Sequence, residues 1–521
     1  MINDLIKQTY DETMYDSNAF AQTSTESLFA MAKTYGLNPP NPDFANVLEI
    51  GCAMGGNIIG QAINHPNSHF LGIDISDKQI EVGKSIIQNV GCKNIELEAI
   101  DIMDLVKIYK GGGKKSFDYI ICHGIYSWVP GFVRAGILET MRELLSEQGV
   151  GFISYNCYPG WKYVEPIRDF MRFSAANADE KDKLQTALNA FKFEKAYYAS
   201  SNTSGDAMQT LTRQIKLENI NLIENTSNRS YLTHEYIEIC NQPFYFTDFV
   251  ADLEDFGLSY IADMMMYFSL DEFRSEAVRE FAKLNYPDRI AMEQMFDFLY
   301  STRFRSSLIT KKSNEPNLVF DDSSKEQNIK DMHIVLGSPC KEFLERVKGS
   351  YLEPLTKVLV DAYPSSVSAA KCIELAKKDD FMAEFYDIKV ATNSIFCVSK
   401  ELKAIPYKVG KTRLKQVYIP YLTHFMNSEK QGVGIATPLN GNMEVEKIEI
   451  EVFLMFDGKN SLKDIQSALK TKFKREKIYP TIVQNGNQKI LTSSKEQDEY
   501  FKDRVRKIAE QLSFVYMFEE F

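Results

Sequence analysis

Three features that would restrict the function are missing from this 521-residue sequence. Its 60 Lys and Arg are outnumbered by 71 Asp and Glu, a formal net charge of −11. It therefore lacks the positive excess with which general nucleic-acid binders displace counterions from phosphates. No apolar run approaches the about 18 residues of a membrane-spanning helix. The segment Met1–Lys7 lacks the basic and apolar regions of a secretory leader. We expect a soluble, cytoplasmic protein that binds no nucleic acid and does not insert into a membrane.

The cysteines show no spacing typical of a metal site or a disulfide framework. The eight cysteines form no Cys-x-x-Cys pair, and several lie inside apolar runs. Such residues are expected to be reduced, buried thiols rather than a disulfide framework or zinc ligands. The composition, 44% hydrophobic and 25% charged, is that of a folded globular chain. At about 150 residues per domain, the length predicts roughly three domains.

Short apolar runs alternate with longer segments of helical pattern in the first 160 residues. This alternation predicts an α/β domain with a parallel sheet. Residues 163–228 are polar and helical in composition, and two strand-like runs follow them. We therefore predict a helical insertion between the fifth and sixth strands of one sheet. The predicted strands are Val47–Ile50, Phe70–Ile73, Ile95–Leu97, Phe117–Cys122, Val150–Tyr155, Leu258–Met264 and Phe304–Ile309.

The later part of the chain is less regular. The hydrophilic segment 313–332 is predicted to link two domains. A mixed helical region follows it to about residue 400. The last region contains an alternating segment, Glu444–Phe456, and a helical one, Leu462–Phe473.

The most specific motif is the glycine-rich turn after the first strand, from Gly51 to Gly56. A tight turn of this kind lets a ligand approach the backbone, and the following helix supplies a positive N-terminus. Two ligands fit the motif. Gly51, Ala53 and Gly56 satisfy a loose dinucleotide fingerprint, whereas a similar turn binds S-adenosylmethionine (SAM).

Acidic residues at the ends of the first three strands favour SAM. Glu49 suits the ammonium group of a methionine better than it suits a pyrophosphate. Asp74 can accept hydrogen bonds from the ribose hydroxyls. Asp101 can accept from the adenine amino group, and Ile102 can cover the ring. Each acidic residue alone is commonly a helix cap or a turn residue. Together they predict a class I SAM-dependent methyltransferase that forms S-adenosylhomocysteine (AdoHcy).

Aromatic and polar residues follow the fourth and fifth strands, where an open α/β sheet binds its ligands. The only two tryptophans lie just beyond these strands. We predict that this face presents the reacting group to the methyl donor, although the aromatic residues could instead pack their own loops. The histidine in this set is a candidate base or a structural residue. The predicted reaction-face residues are His123, Tyr126, Trp128, Tyr155, Asn156 and Tyr158.

The sequence resembles bacterial methyltransferases with a methyltransferase regulatory domain, including rickettsial lysine methyltransferases that modify outer-membrane protein. The resemblance covers nearly the whole chain. The similar segments are Tyr10-Asp11 to Thr23, Leu48 to Asn57, Phe117 to Pro130, Tyr155 to Trp161, Tyr231 to Tyr236 with its His234-Glu235 pair, Pro243 to Phe246, Gly257 to Ala262, Asp297 to Arg305 and Phe456 to Gly458. Ala53 departs from the family pattern, which has glycine there.

The resemblance implies the architecture of the whole chain. It implies a Rossmann-like SAM-binding domain (1–162), a helical insertion that can mediate dimerisation (163–228) and the rest of the sheet with the regulatory region (229–312). A middle α-rich domain (313–400) and a winged-helix-like C-terminal domain (401–521) follow. The predicted cofactor-binding residues are Tyr15, Glu49, Gly51, Cys52, Ala53, Gly55, Asn57, Asp74, Ile75, Asp101, Ile102 and His123.

The predicted function is N-methylation of a protein or peptide, with lysine side chains of a surface or outer-membrane protein as the expected substrate. A modestly acidic chain suits a lysine-bearing partner. The alternatives are methylation of peptide asparagine or of a small metabolite, and a scaffold that binds SAM without turnover. Glu49 and Asp101 disfavour a nicotinamide oxidoreductase.

Overall fold

A computed structural model describes residues 17–111, 116–200, 206–264, 275–377, 381–429, 432–484 and 487–521. Within this part of the chain, seven strands form one sheet in the order β3-β2-β1-β4-β5-β7-β6. The predicted α/β fold is thus confirmed, with each strand within a few residues of its predicted position. The strands are β1 (Asn46–Ile50), β2 (His69–Asp74), β3 (Ile95–Ala99), β4 (Phe117–Cys122), β5 (Leu145–Asn156), β6 (Leu258–Asp263) and β7 (Phe304–Lys311).

The chain divides into two compact units, of which the first contains residues 73–80 and 99–315. In this unit β4 and β5 pair in parallel, whereas β7 runs antiparallel to both β5 and β6. Every residue of β4 and β6 is buried, because both faces of these strands are covered. Its helices are Ile102–Gly111, Gly131–Leu144, Glu165–Ser174, Lys183–Ser200, Ala207–Asn225, Arg229–Tyr236, Phe246–Asp255, Glu276–Asn285 and Arg289–Tyr300.

The helical insertion between β5 and β6 is confirmed. Four helices between Glu165 and Tyr236 lie within it, and the chain then returns to the same sheet at β6. Part of the insertion has a core of its own, to which Met171, Phe191 and Ile220 contribute. The glycine loop around 111–113, with Lys114 and Lys115, falls largely outside the described residues.

The second unit contains residues 17–72, 81–98 and 316–521. Besides β1 and β3 it holds a three-stranded sheet, β10-β8-β9, and three strand pairs, β11-β16, β12-β13 and β14-β15. These strands are β8 (His333–Leu336), β9 (Val367–Ser368), β10 (Ile395–Val398), β11 (Thr412–Leu414), β12 (Gly432–Ala436), β13 (Asn442–Glu446), β14 (Thr481–Gln484), β15 (Asn487–Ile490) and β16 (Phe518–Glu520). The β14-β15 hairpin lies between helices Leu462–Glu476 and Ser494–Phe514, and the winged-helix-like domain stays a prediction.

Helices make up most of the rest of the second unit. They are Thr25–Thr34, Gly56–Asn64, Asp322–Ile329, Lys341–Arg346, Glu353–Ala362, Ala369–Leu375, Phe381–Thr392, Tyr418–Met426, Lys447–Leu454, Leu462–Glu476 and Ser494–Phe514; helix Asp77–Val90 crosses the division between the units. No helix of the described ranges is both long and apolar enough to cross a membrane.

The hydrophilic segment 313–332 is not the free linker that its composition predicts. It contains helix Asp322–Ile329, which is capped by the Asp321 side chain. Ile329 is fully buried in a hydrophobic core with Ala30 and Leu355. Lys325 is also buried, and its ammonium pairs with Asp322 at 3.1 Å. Met332 is buried in the same core. The division between the two units falls inside this segment, after Glu315, so the segment contains the predicted boundary but is structured toward its C-terminal end.

A buried ionic cluster fixes β7 in the first unit. Arg305 is fully buried, and its guanidinium donates to Asp297 at 2.9 Å and to Glu293 at 3.0 Å. The same guanidinium lies 3.8 Å from the centroid of the Phe246 ring. A buried cation is tolerated only when charges and hydrogen bonds of this kind compensate its lost hydration.

We predict that Asp297→Ala lowers the free energy of unfolding by about 3–5 kcal/mol, because it leaves a buried charge without its main partner. Urea denaturation followed by circular dichroism measures this change. As a control, Glu280→Ala removes one half of the exposed Lys283–Glu280 pair, and it should cost less than about 1 kcal/mol. Equal effects of the two variants would contradict this role of Arg305.

Candidate functional site

The turn after β1 has the backbone that its glycines predict. Gly51 and Gly55 lie in the left-handed region, at φ 71° and φ 79°. Ala53 lies there as well, at φ 49°, which explains why glycine is favoured at its position. Gly56 begins helix Gly56–Asn64, and a Cβ atom on it would collide with the Ser17 carbonyl. Gly51, Ala53 and Gly55 carry little or no side chain, and the Gly56 N–H donates to the Ser17 hydroxyl at 2.7 Å.

Glu49, at the end of β1, is only 4% exposed. Its Oε1 accepts a hydrogen bond from the Asn57 amide at 2.7 Å. The Asn57 Oδ1 accepts from the Phe20 N–H and the Thr23 hydroxyl, both at 3.0 Å, and from the Asn440 amide at 2.9 Å. Asn57 is thus engaged by the protein on both sides. Its geometry suits it to orient Glu49 rather than to contact a ligand itself.

Asp74 and Asp101 both accept a hydrogen bond from the backbone N–H two residues further along the chain. Asp74 Oδ1 accepts from the Ser76 N–H at 2.9 Å, and Asp101 Oδ1 accepts from the Met103 N–H at 3.0 Å. These are the turn and cap contacts that such residues commonly make. A carboxylate has about four acceptor positions, so the contacts are compatible with ligand binding. Both side chains are partly exposed, whereas Ile102 is buried.

His123 follows β4 and packs against the Phe152 ring. Its Nδ1 lies 2.9 Å from the Ser154 hydroxyl oxygen, which also accepts the Gly124 N–H at 2.8 Å. Desolvation by burial lowers the pKa of His123 to about 4. The imidazole is therefore neutral at pH 7 and is a weak base. This environment favours a structural or hydrogen-bonding role over the predicted role as a base.

Tyr126 and Tyr155 lie in the interior, each only 1% exposed. Tyr155 stacks on Phe249 at 4.2 Å between ring centroids, and Tyr126 packs against Phe244 at 5.5 Å. Burial raises the pKa of both phenols. Asn156 is also buried, and its N–H donates to Ser127 Oγ at 2.9 Å. These three buried residues support the loops that follow β4 and β5. That they contact a substrate stays a prediction.

Tyr158 is a partly exposed member of the predicted reaction face. Its hydroxyl donates to Glu165 Oε1 at 2.5 Å, and its ring lies 5.3 Å from the Tyr245 ring. The Lys162 ammonium lies over both rings, 5.2 Å from the Tyr158 centroid and 5.5 Å from the Tyr245 centroid. A hydrogen bond to Tyr245 raises the pKa of Lys162. These phenols thus hold a lysine ammonium that comes from the chain itself.

Trp128 and Trp161 meet edge to face, with their ring centroids 6.2 Å apart. The Arg168 guanidinium lies 6.0 Å from the Trp128 ring centroid and donates to the Glu238 carbonyl. Trp161 is buried, whereas Trp128 is partly exposed. The two tryptophans are therefore in contact, and Trp128 is the one that a substrate can reach.

His234 and Glu235 lie in the last turn of helix Arg229–Tyr236. His234 Nδ1 lies 3.7 Å from Glu238 Oε2. Glu235 instead faces a partly desolvated environment in which burial raises its pKa from 4.5 to about 7, against the opposing charges of Arg168 and Arg303.

Tyr15 lies outside the described residues, so its predicted role stays a prediction. Among the residues that the structure describes, no group of three or more His, Cys, Asp or Glu side chains could hold a metal ion.

Sequence reasoning missed Asn440, Lys162 and Tyr245. Asn440 lies 383 residues after Asn57 in the chain, and a Leu-Asn-Gly sequence indicates only a turn. Lys162 follows Trp161 directly, but its approach to Tyr245 depends on the return of the chain after the insertion.

Comparison with known proteins agrees with this geometry. The model of a "Methyltransferase domain" matches residues 43–219, and the model of a "Predicted methyltransferase regulatory domain" matches residues 228–311. The uncharacterized protein RP028 of Rickettsia prowazekii is 39% identical over 251 residues, which are 48% of this chain and 95% of that protein. The uncharacterized protein RP789 of the same organism is 34% identical over 338 residues, 64% of this chain and 58% of its own length.

One similar solved structure is PKMT2 from Rickettsia typhi in complex with AdoHcy. It is 25% identical, with a TM-score of 0.75, and the match covers 97% of this chain and 99% of that one. The chain belongs to the SAM-dependent methyltransferases with a methyltransferase regulatory domain. The predictions of the family, of the fold class and of SAM as the cofactor are thereby confirmed.

This methyltransferase fits its cofactor by the chemistry of the turn and of Glu49. A buried carboxylate suits an ammonium group, and a turn of small residues admits a ligand close to the backbone. When bound, SAM supplies a methyl group on a positively charged sulfur. The protein's own contribution to such an in-line displacement is to position the two reactants and to exclude water.

Glu235 gives the methyltransferase a pH-dependent term in its stability. Because its pKa in the folded protein, about 7, lies above the ordinary 4.5, the folded state binds this proton more tightly than the unfolded state does. The stabilisation is complete below pH 4.5 and is lost as the pH rises through 7. We predict that Glu235→Gln raises the free energy of unfolding at pH 8 by up to about 3 kcal/mol.

At pH 4.5 the same variant should be close to the parent, because both side chains are then neutral. Urea denaturation at pH 4.5, 6 and 8 tests this, with the exposed Glu218→Gln as the control. A Glu235→Gln effect that does not change with pH would show that the carboxyl titrates normally.

Proposed function

We propose that this methyltransferase transfers the methyl group of SAM to lysine side chains of a protein or peptide, such as a surface or outer-membrane protein. The observation that carries the proposal is the Lys162 ammonium on the faces of Tyr158 and Tyr245. The similarity to PKMT2 and the resemblance to rickettsial lysine methyltransferases support it.

The two tyrosines are held where a lysine can reach them. Tyr158 is anchored through its hydroxyl to Glu165. Tyr245 stacks on Phe298, with ring centroids 5.7 Å apart and planes at 28°. Phe298 is 55% exposed, so this row of rings extends to the surface. Cation–π attraction holds an ammonium group on such faces.

The Glu165 carboxylate adds a negative charge close to Tyr158 and Lys162. Its carboxylate contributes to the raised pKa of Lys162. A lysine from a substrate can replace Lys162 on the rings and gain the same contacts. The attacking nitrogen must then lose its proton before it can accept a methyl group.

We assign the cofactor contacts by residue. Glu49 binds the ammonium of the methionine part, with Asn57 as its support. The turn from Gly51 through Cys52 and Ala53 to Gly55 lies against that part. Asp74 and Ile75 bind the ribose. Asp101 and Ile102 bind the adenine.

We further propose that His123 closes the cofactor site as a neutral hydrogen-bonding group and that Trp128 borders the transferred methyl. Tyr126, Tyr155 and Asn156 shape the reaction face from inside. We place this activity in the cytoplasm, without a nucleic-acid partner.

The test is transfer of label from methyl-labelled SAM to protein in a cell lysate, with the products hydrolysed and separated. We expect labelled methyl-lysine. Label in methyl-asparagine or in small molecules would favour the alternative substrates, and AdoHcy binding without label in any product would favour a scaffold.

A variant makes this test specific to the aromatic face. Tyr158→Ala should raise the KM for the lysine substrate about threefold, the loss expected when an exposed cation–π contact is removed. AdoHcy affinity should stay unchanged. Tyr479→Ala, an exposed tyrosine in the second unit, serves as control. A lowered AdoHcy affinity with an unchanged KM would remove Tyr158 from the substrate site.

We propose that the helical insertion forms a homodimer. Its helices expose large apolar side chains that a monomer would leave in water, among them Phe193 at 74%, Met208 at 69% and Leu222 at 66%. We predict that Leu222→Glu halves the mass measured by light scattering, whereas Phe281→Glu, equally exposed but outside the insertion, leaves it unchanged. A monomeric parent protein would contradict the proposal.

A further inference from the structure

The helix that follows the glycine-rich turn contacts helix Tyr418–Met426, strand β12 and the turn between β12 and β13. Helix Gly56–Asn64 makes these contacts at Asn57, Gly60 and Asn64. Asn57 accepts from Asn440, a Cβ on Gly60 would collide with Ala436, and Asn64 donates to the Tyr418 hydroxyl at 2.7 Å. Positions 57, 60 and 64 share one face of a helix. That whole face is therefore turned toward residues 418–440.

Asn440 is held tightly in its turn. It adopts the left-handed conformation at φ 57°, which asparagine tolerates better than most residues. The turn closes through a Thr437 N–H bond to the Gly441 carbonyl at 2.9 Å. Asn440 is 2% exposed, and its amide nitrogen donates both to Asn57 Oδ1 at 2.9 Å and to the Phe20 carbonyl at 3.1 Å.

The neighbours of Asn57 determine which way its side-chain amide is turned. Two N–H donors, the Phe20 backbone and the Asn440 amide, point at the Asn57 oxygen, and this leaves the Asn57 nitrogen facing Glu49. The Thr23 hydroxyl lies 3.0 Å from the same oxygen but is also placed to donate to the Phe20 carbonyl. The opposite orientation would place the Asn57 oxygen against the Glu49 carboxylate and its nitrogen against the two N–H donors. Both contacts would be repulsive, so each donor helps to set the orientation of the amide.

The Asn440 side chain adds little to the stability of its own turn. Its Oδ1 is buried and has no hydrogen-bond partner among the described residues. A buried acceptor without a partner is destabilising. Glycine would keep the left-handed turn without that group. The asparagine amide is therefore better explained by what its nitrogen does for Asn57.

We infer that Asn440 is a positioning residue for the cofactor, which acts through Asn57 to fix the Glu49 carboxylate. This inference rests on the proposed role of Glu49 in binding the ammonium of SAM. It makes a turn near the C-terminus of the chain a part of the cofactor site, although Asn440 itself touches no ligand.

The experiment compares two ligands on the full-length protein by titration calorimetry. AdoHcy carries the amino-acid part that Glu49 would bind, whereas 5′-methylthioadenosine has the same nucleoside without it. We expect Asn440→Asp to weaken AdoHcy about tenfold, the size of one hydrogen bond to a charged group. Affinity for 5′-methylthioadenosine should change less than about twofold. Asn440→Gly, which keeps the turn, should weaken AdoHcy about threefold.

Two controls separate the possible failures. Asn442→Asp makes the same chemical change two residues away at an exposed position and should bind both ligands as the parent does. Glu49→Gln tests the proposed function, because unchanged AdoHcy affinity in this variant would remove Glu49 from the ammonium site. If Glu49→Gln weakens AdoHcy but Asn440→Asp does not, the inference fails while the proposed function stands. Equal loss of both ligands in Asn440→Asp would also overturn it, since that is the mark of general unfolding.

Discussion

The hydrogen bond from Asn57 to Glu49 is the interaction on which the proposed cofactor site of this protein depends. A carboxylate that is almost fully buried at a strand end requires a donor, and Asn57 supplies one at 2.7 Å. The Asn57 oxygen is in turn saturated by Phe20, Thr23 and Asn440. One amide thus joins the segment before β1, the glycine-rich turn and a turn more than 380 residues away. The carboxylate proposed to bind the cofactor is thus oriented by contacts within the second unit, and not by the turn alone.

The aromatic residues of the proposed reaction face fall into two groups, buried and reachable. Tyr126 and Tyr155 are buried and pack on Phe244 and Phe249, so they give the loops after β4 and β5 a rigid base. Tyr158 remains reachable and holds the Lys162 ammonium. A rigid base with a few reachable side chains is what a methyl transfer by positioning requires.

Much of the fold could be predicted from the sequence, because the strands of an α/β sheet are short apolar runs with clear ends. Phe117–Cys122 matches β4 residue for residue, and the insertion before Leu258 follows from the return of strand-like runs. The structure of segment 313–332 could not be predicted, since its buried apolar side chains, Ile329 and Met332, are hidden among polar neighbours. The motif residues of the site were found by type and spacing. Burial of Tyr126 and the reach of Asn440 depend on tertiary packing, which spacing does not encode.

The central claim is that Glu49, oriented by Asn57, binds the ammonium group of the cofactor. A crystal structure of the protein with AdoHcy tests it most directly, through the distance from the amino nitrogen of the ligand to the Glu49 carboxylate. The account predicts a separation of about 3 Å, directly or through one bridging water, with the Asn57 oxygen still bound to Asn440. An amino group held by other residues, with Glu49 turned away from it, would contradict the account.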